Sequence, residues 1–92
     1  MRFRIAPHSG QGAPPDAIER LAVRLGSSVE DAFFVKVGNE ILATWGEDAP
    51  VAMERDEREE LGRLALLGII EEVCEETPDL RADWFAVAPR PN

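Results

Sequence analysis

Residues 2–6 alternate polar and apolar side chains in the run Arg-Phe-Arg-Ile-Ala, the period-two pattern of a half-buried strand, and Pro7 closes the run. A stretch of small residues follows, and then Ile18, Leu21, Ala22 and Leu25 recur at the spacing of one helical face. Pro14 and Pro15 suit the first turn of that helix, where a missing N–H is no loss, and Gly26 suits its C-terminal cap. Residues 32–37 and 40–45 are two β-prone runs joined by Gly38-Asn39. Glycine at the first turn position supplies the positive φ of a two-residue hairpin, which pairs Val37 with Glu40, Val35 with Leu42 and Phe33 with Thr44. Residues 46–52 form a connection, residues 53–77 read as a long helix stopped by Pro78, and residues 83–88 read as a last strand.

The order is therefore β-α-β-β-α-β, the split βαβ arrangement of ferredoxin-like domains. It predicts an α+β fold with a four-stranded antiparallel sheet and two helices on one face, the first and third strands being central. The 92 residues fit one domain, ordered over about 2–88, with 89–92 as a tail. Paired hairpin residues share a face, so Phe33, Val35, Val37 and Leu42 fall together, and Phe34, Lys36, Ile41, Ala43 and Trp45 fall together. The simplest core joins the first of these sets to Phe3, Ile5, Phe85 and Val87. The open sheet face then carries Arg2, Arg4, Phe34, Lys36, Ile41, Trp45, Trp84 and Ala86, including both tryptophans of the chain. A face this apolar reads as an interaction surface, with tryptophan as anchor and arginine beside it.

Charge narrows the picture. The chain carries 18 acidic and 10 basic residues, a net charge of -8. That disfavours general nucleic-acid binding, which rests on neutralising phosphates, and suits a basic protein partner. Base stacking on the sheet, as in RNA-recognition motifs, is also disfavoured, because residues 31–37 lack the glycines of that consensus. Nine of the carboxylates lie between Glu54 and Glu76, where Glu54–Arg58, Arg55–Glu59 and Glu59–Arg63 have the spacing of i,i+4 ion pairs. The interleaved arginines make this a solvated helix face rather than a metal cluster. No run is long enough to span a membrane, no secretory h-region opens the chain, and the single cysteine permits no internal disulfide, so a cytoplasmic setting is expected.

Other candidate chemistry is sparse. The loop His8, Ser9, Gly10, Gln11, Gly12 ahead of a helix start resembles a small-ligand loop, but it lacks both the P-loop pattern and the third glycine of a dinucleotide fingerprint. Cys74 falls within an apolar helical face, where a thiol is a packing group, and His8 is the only histidine. One His and one Cys do not make a zinc site, and no cofactor is implied. On the long helix Leu66, Leu67, Ile69, Ile70, Val73 and Cys74 form one broad face. Leu61, Leu64 and Gly68 form a stripe on the other side, expected to meet the neighbouring helix.

The leading expectation is a small non-catalytic module that acts by self-association, as a homodimer, or by protein binding through its open sheet face. The first alternative is a dimeric α+β-barrel enzyme or small-ligand sensor lined by Trp45, Trp84, Arg4 and His8. The second is an acidic inhibitor of a basic protein, of immunity or antitoxin type, acting through Glu71, Glu72, Glu75 and Glu76.

Overall fold

A computed structural model describes residues 2–30, 32–45 and 54–90, and the Trp45 side chain lies outside the described set. So do the expected connection at 46–52, the first expected helical residue Met53 and the last two residues of the expected tail. The fold is α+β, with a four-stranded antiparallel open sheet and two helices. The elements are β1 (Arg2–Pro7), α1 (Ala17–Ser28), β2 (Ala32–Val37), β3 (Glu40–Trp45), α2 (Arg55–Glu75), a single 3-10 turn (Ala82–Trp84) and β4 (Phe85–Pro89). The sheet order is β2-β3-β1-β4, so β1 and β3 are central and β2 and β4 are the edges.

The hairpin forms where the turn chemistry demands. Val37 pairs with Glu40, Val35 with Leu42 and Phe33 with Thr44. Gly38 has φ +59°, a sign that costs little only for glycine, and no other described residue of the hairpin takes a positive φ. α1 buries Ala17, Ile18, Leu21 and Leu25, the apolar stripe of its sequence. Two of its expected punctuation marks fall differently. Pro14 and Pro15 precede the helix, the Pro14 carbonyl accepting from the Ala17 N–H at 3.1 Å. Gly26 is helical, and the cap is Val29, whose N–H donates to the Leu25 carbonyl at 3.0 Å. Arg20 ties the start of α1 to Asp16 at 2.7 Å and to Asp79, beyond α2, at 3.0 Å.

α2 runs Arg55–Glu75, within the expected 53–77, and ends ahead of Pro78 as expected. It buries Gly62, Leu66, Ile70, Val73 and Cys74. Arg55 pairs with Glu59 at 3.0 Å, while Arg63 pairs with Glu60 at 2.6 Å rather than with Glu59. The stripe expected to meet α1 does not: Leu61 and Leu64 are each about half exposed, and nothing stands within 4 Å of a Cβ built on Gly68. The helices diverge over different strands, α1 mainly over β2 and α2 over β4, so the outer side of α2 meets no neighbour among the described residues.

The core lies between the sheet and the helices. Phe3, Ile5, Ile18, Leu21, Leu25, Ile41, Leu66 and Ile70 are fully buried in one cluster. β4 begins later than residue 83 because residues 82–84 close a 3-10 turn, and it extends through Pro89. Arg90 is likewise no free tail, since its N–H donates to the Arg2 carbonyl at 3.0 Å.

Candidate interaction surface

The direction of each strand's side chains follows from the pairing. β1 alternates Phe3 and Ile5, both buried, with Arg2 and Arg4, both exposed, as its sequence dictates. β3 is locked to it by Phe3 with Ala43 and Ile5 with Ile41. Residues opposite one another share a face, so Ile41 and Ala43 point at the helices and Leu42 and Thr44 point away. β2 follows through Phe34 with Ala43 and Val35 with Leu42. β4 follows through Ile5 with Val87 and Arg4 with Ala88.

This reverses the expected direction of the hairpin. Ile41 is fully buried, and Phe34 is half-buried and packed against the core, so neither belongs to the open face. Lys36 lies opposite buried Ile41 on the helix side, at the edge of the sheet, where its side chain reaches solvent. Phe33, Val35, Val37 and Leu42, expected in the core, stand on the open face instead. The physical reason is that both faces of the hairpin are apolar, so its own alternation does not choose between them. Long-range pairing with β1 chooses. Trp84 lies outside the last strand. It sits in the 3-10 turn before β4, half-buried against the core, and its carbonyl accepts from the His8 N–H at 2.7 Å. For Trp45 the backbone pairing with Ala32 is all that is described.

The open face is therefore a grid. Its middle row runs Val35, Leu42, Arg4, Ala88 across the four strands. One flanking row carries Phe33, Thr44 and Arg2, and the other carries Val37, Glu40, Ala6 and Ala86. Phe33 is 76% exposed, Val35 56% and Val37 55%. Water-facing apolar side chains of this size, contiguous on one strand, are uncommon on a monomer without a binding role. Arg4 approaches Glu40 diagonally at 3.6 Å, from the middle row to the flanking row, so the two charges partly offset one another.

The remaining candidates occupy other places. His8 and Gln11 line a cleft of about 400 Å³ with Glu71 and Asp83, floored by Ile70 and Phe85. Gly10 and Gly12 hold φ of 82° and 73° in the loop above it, and Ser9 offers its carbonyl to His8 Nδ1 at 3.1 Å. Arg4 stands on the opposite side of the sheet from this cleft, so His8, Arg4 and Trp84 do not line one pocket. Asp83 is engaged by Arg81 at 3.3 Å. Cys74 is buried, and burial first, then the nearby Asp83 carboxylate, pushes its thiol up from the ordinary value. Its proton stays on at neutral pH, which suits a packing group and not a nucleophile. Among the described residues no group of three or more His, Cys, Asp or Glu could hold a metal ion, and no helix is long and apolar enough to cross a membrane.

The long-helix carboxylates divide by position. Asp56 and Glu57 sit in the first turn of α2, where the helix dipole favours them, and no basic residue occupies the last turn. A groove of about 580 Å³ between the C-terminal ends of α1 and α2 has Val29, Ile69 and Val73 as its floor and Glu30, Glu72 and Glu76 at its rim. Phe33, Val35, Val37 and Leu42 are the surface residues that sequence reasoning missed. The signal that finds them is the pairing of Ile5 with Ile41, which no local pattern contains. No protein-family model, curated protein or solved structure matches the chain.

Proposed function

We propose that this chain is a small non-catalytic module of ferredoxin-like fold that works by association, its own or with another protein, through the open face of its sheet. The central placement of β1 and β3 supports the fold assignment. The observation that carries the function is the exposure of Phe33, Val35 and Val37 along one face of an edge strand, continuous with Leu42 and with Arg2 and Arg4 on the same face. An aromatic anchor among aliphatic neighbours, with arginines on the same face, is the make-up of an interface centre. A hydrophobic dye such as bis-ANS tests it. At low protein concentration the wild-type chain binds the dye, and Phe33→Glu removes most of that binding without changing the far-ultraviolet circular dichroism. Equal dye binding by the two proteins overturns the reading.

The groove between the helix ends favours a second reading, docking of a basic partner. Two negative helix ends and three glutamates surround an apolar floor there, and no basic side chain lines it among the described residues. Charge reversal at Glu72 and Glu76 abolishes capture of a lysine-rich peptide if this surface is used, and leaves it unchanged if it is not.

A further inference from the structure

We infer that the partner of the open face is a second copy of this chain, stacked sheet on sheet about a two-fold axis parallel to the strands, so that β2 of each copy lies over β4 of the other. The inference rests on the reading of the open face as an association surface. It follows from how bulk and charge are distributed across the grid.

Bulk is concentrated at one edge of the face, where β2 presents Phe33, Val35 and Val37, whereas β4 at the other edge presents Ala86 and Ala88, with Arg90 next at the end of the strand opposite Arg2. A two-fold axis along the strands brings each edge over its opposite. Val35 then lies over Ala88 and Val37 over Ala86, large residues over small ones, as close packing of two sheets requires. An axis across the strands instead sets β2 on β2 and leaves the alanine edges facing each other across a gap. Charge makes the same choice. The axis across the strands places Arg4 on its own symmetry mate. The axis along the strands sets Arg4 over Leu42, diagonal to Glu40 of the other copy, so two arginines and two glutamates alternate around the axis and extend the pair already formed at 3.6 Å. With a net charge of -8 on the whole chain, stacking through the sheet also keeps the acidic residues of α2 of the two copies apart.

The area is sufficient. Four strands at about 4.8 Å spacing and three side-chain rows at about 6.7 Å give a footprint of about 400 Å² per copy. With side-chain relief, two such faces bury roughly 1,000–1,200 Å², at the lower end for a specific interface. The dimer therefore dissociates at low concentration and forms at higher concentration.

The experiment uses the full chain. Light scattering after size exclusion at a few hundred micromolar gives twice the 10.2 kDa chain mass, and Phe33→Glu weakens dimerisation by about 100-fold or more. Arrangement is read from Val35→Cys and Ala88→Cys, each made singly in a Cys74→Ala background and treated with a short bismaleimide that spans the roughly 10 Å between stacked sheets. Both sites are exposed and both changes are small, so folding is not at stake. Neither protein cross-links to itself, because each site lies far from its own symmetry mate, and the equimolar mixture does. Self-cross-linking of Val35→Cys alone overturns the arrangement, since it places β2 on β2. A wild-type chain that stays monomeric overturns the inference of a second copy. The dye measurement then separates the two failures: a monomer whose dye binding depends on Phe33 keeps the face as an association surface for another protein, and a monomer that binds no dye removes that reading too.

Discussion

The direction of the hairpin is tested by truncating two side chains in adjacent rows of the same pair of strands. Ile41→Ala removes three carbons from a fully buried position. At about 0.8 kcal/mol per buried methylene the transfer term is about 2.4 kcal/mol, and the cavity left beneath α1 raises the loss to about 3 kcal/mol, within the range for such truncations. Val35→Ala removes two carbons from a side chain that is 56% exposed, so the loss stays under about 1 kcal/mol. For a domain of this size one kcal/mol moves the melting temperature by about 4–8 °C, which separates the two variants: about 12–24 °C for Ile41→Ala and less than about 8 °C for Val35→Ala. Thermal unfolding followed by circular dichroism at low micromolar protein, where the face is free, reads the difference. Should Ile41→Ala fail to fold, Ile41→Val still loses about 1 kcal/mol. Equal losses, or a larger loss at Val35, refute the assignment of Ile41 to the core and of Val35 to the open face, and every conclusion about the surface falls with them.

Three further outcomes are expected, two at Cys74 and one at Thr77. Cys74 in the native chain reacts with Ellman's reagent at pH 7.5 at least about 10-fold more slowly than in the urea-unfolded chain, because burial disfavours its thiolate. By linkage, the protonated thiol is preferred more strongly in the folded state, so its stabilising contribution is complete below the unfolded thiol pKa of about 8.5 and declines as pH rises from there through the higher folded value. A Cys74→Ala variant whose stability falls just as steeply over that window would contradict it. Thr77 is the other case: it is 4% exposed and its Oγ1 has no hydrogen-bond partner among the described residues. Thr77→Val removes an unsatisfied hydroxyl from an apolar site and leaves the backbone bond from its N–H to the Cys74 carbonyl at 3.2 Å, so urea unfolding gives a stability equal to or up to about 1–2 kcal/mol above wild type. A loss of more than about 1 kcal/mol would mean that the hydroxyl is satisfied.

The hairpin register, the buried stripe of α1 and the stop before Pro78 were legible because each is decided within a few residues. Gly38 sets the turn, the turn sets the pairing of Val37 with Glu40, and the rest of the ladder follows at period two. Ile18, Leu21 and Leu25 fall on one face because a helix turns 3.6 residues at a time. Trp84 falls outside β4 because residues 82–84 close a 3-10 turn, and the strand period read backwards from Phe85 does not register that turn. The outer stripe of α2 was misjudged for a related reason. Leu61 and Leu64 are periodic, but periodicity groups residues without saying what their face will meet.

Sequence alone determined the order of elements, the pairing inside the hairpin and the inward residues of β1, where arginine at every second position leaves one apolar face to bury. Only the tertiary structure decided which side of the hairpin goes with that face. Phe33, Val35, Val37 and Leu42 compete with Phe34, Ile41 and Ala43 on nearly equal hydrophobic terms, and a strand apolar on both sides carries no internal preference. The choice is made by the non-local match of Ile5 to Ile41 and Phe3 to Ala43, under two helices whose own apolar faces fill the space above. The side left out of that match is the exposed apolar face of Phe33, Val35, Val37 and Leu42 on which the proposed function rests.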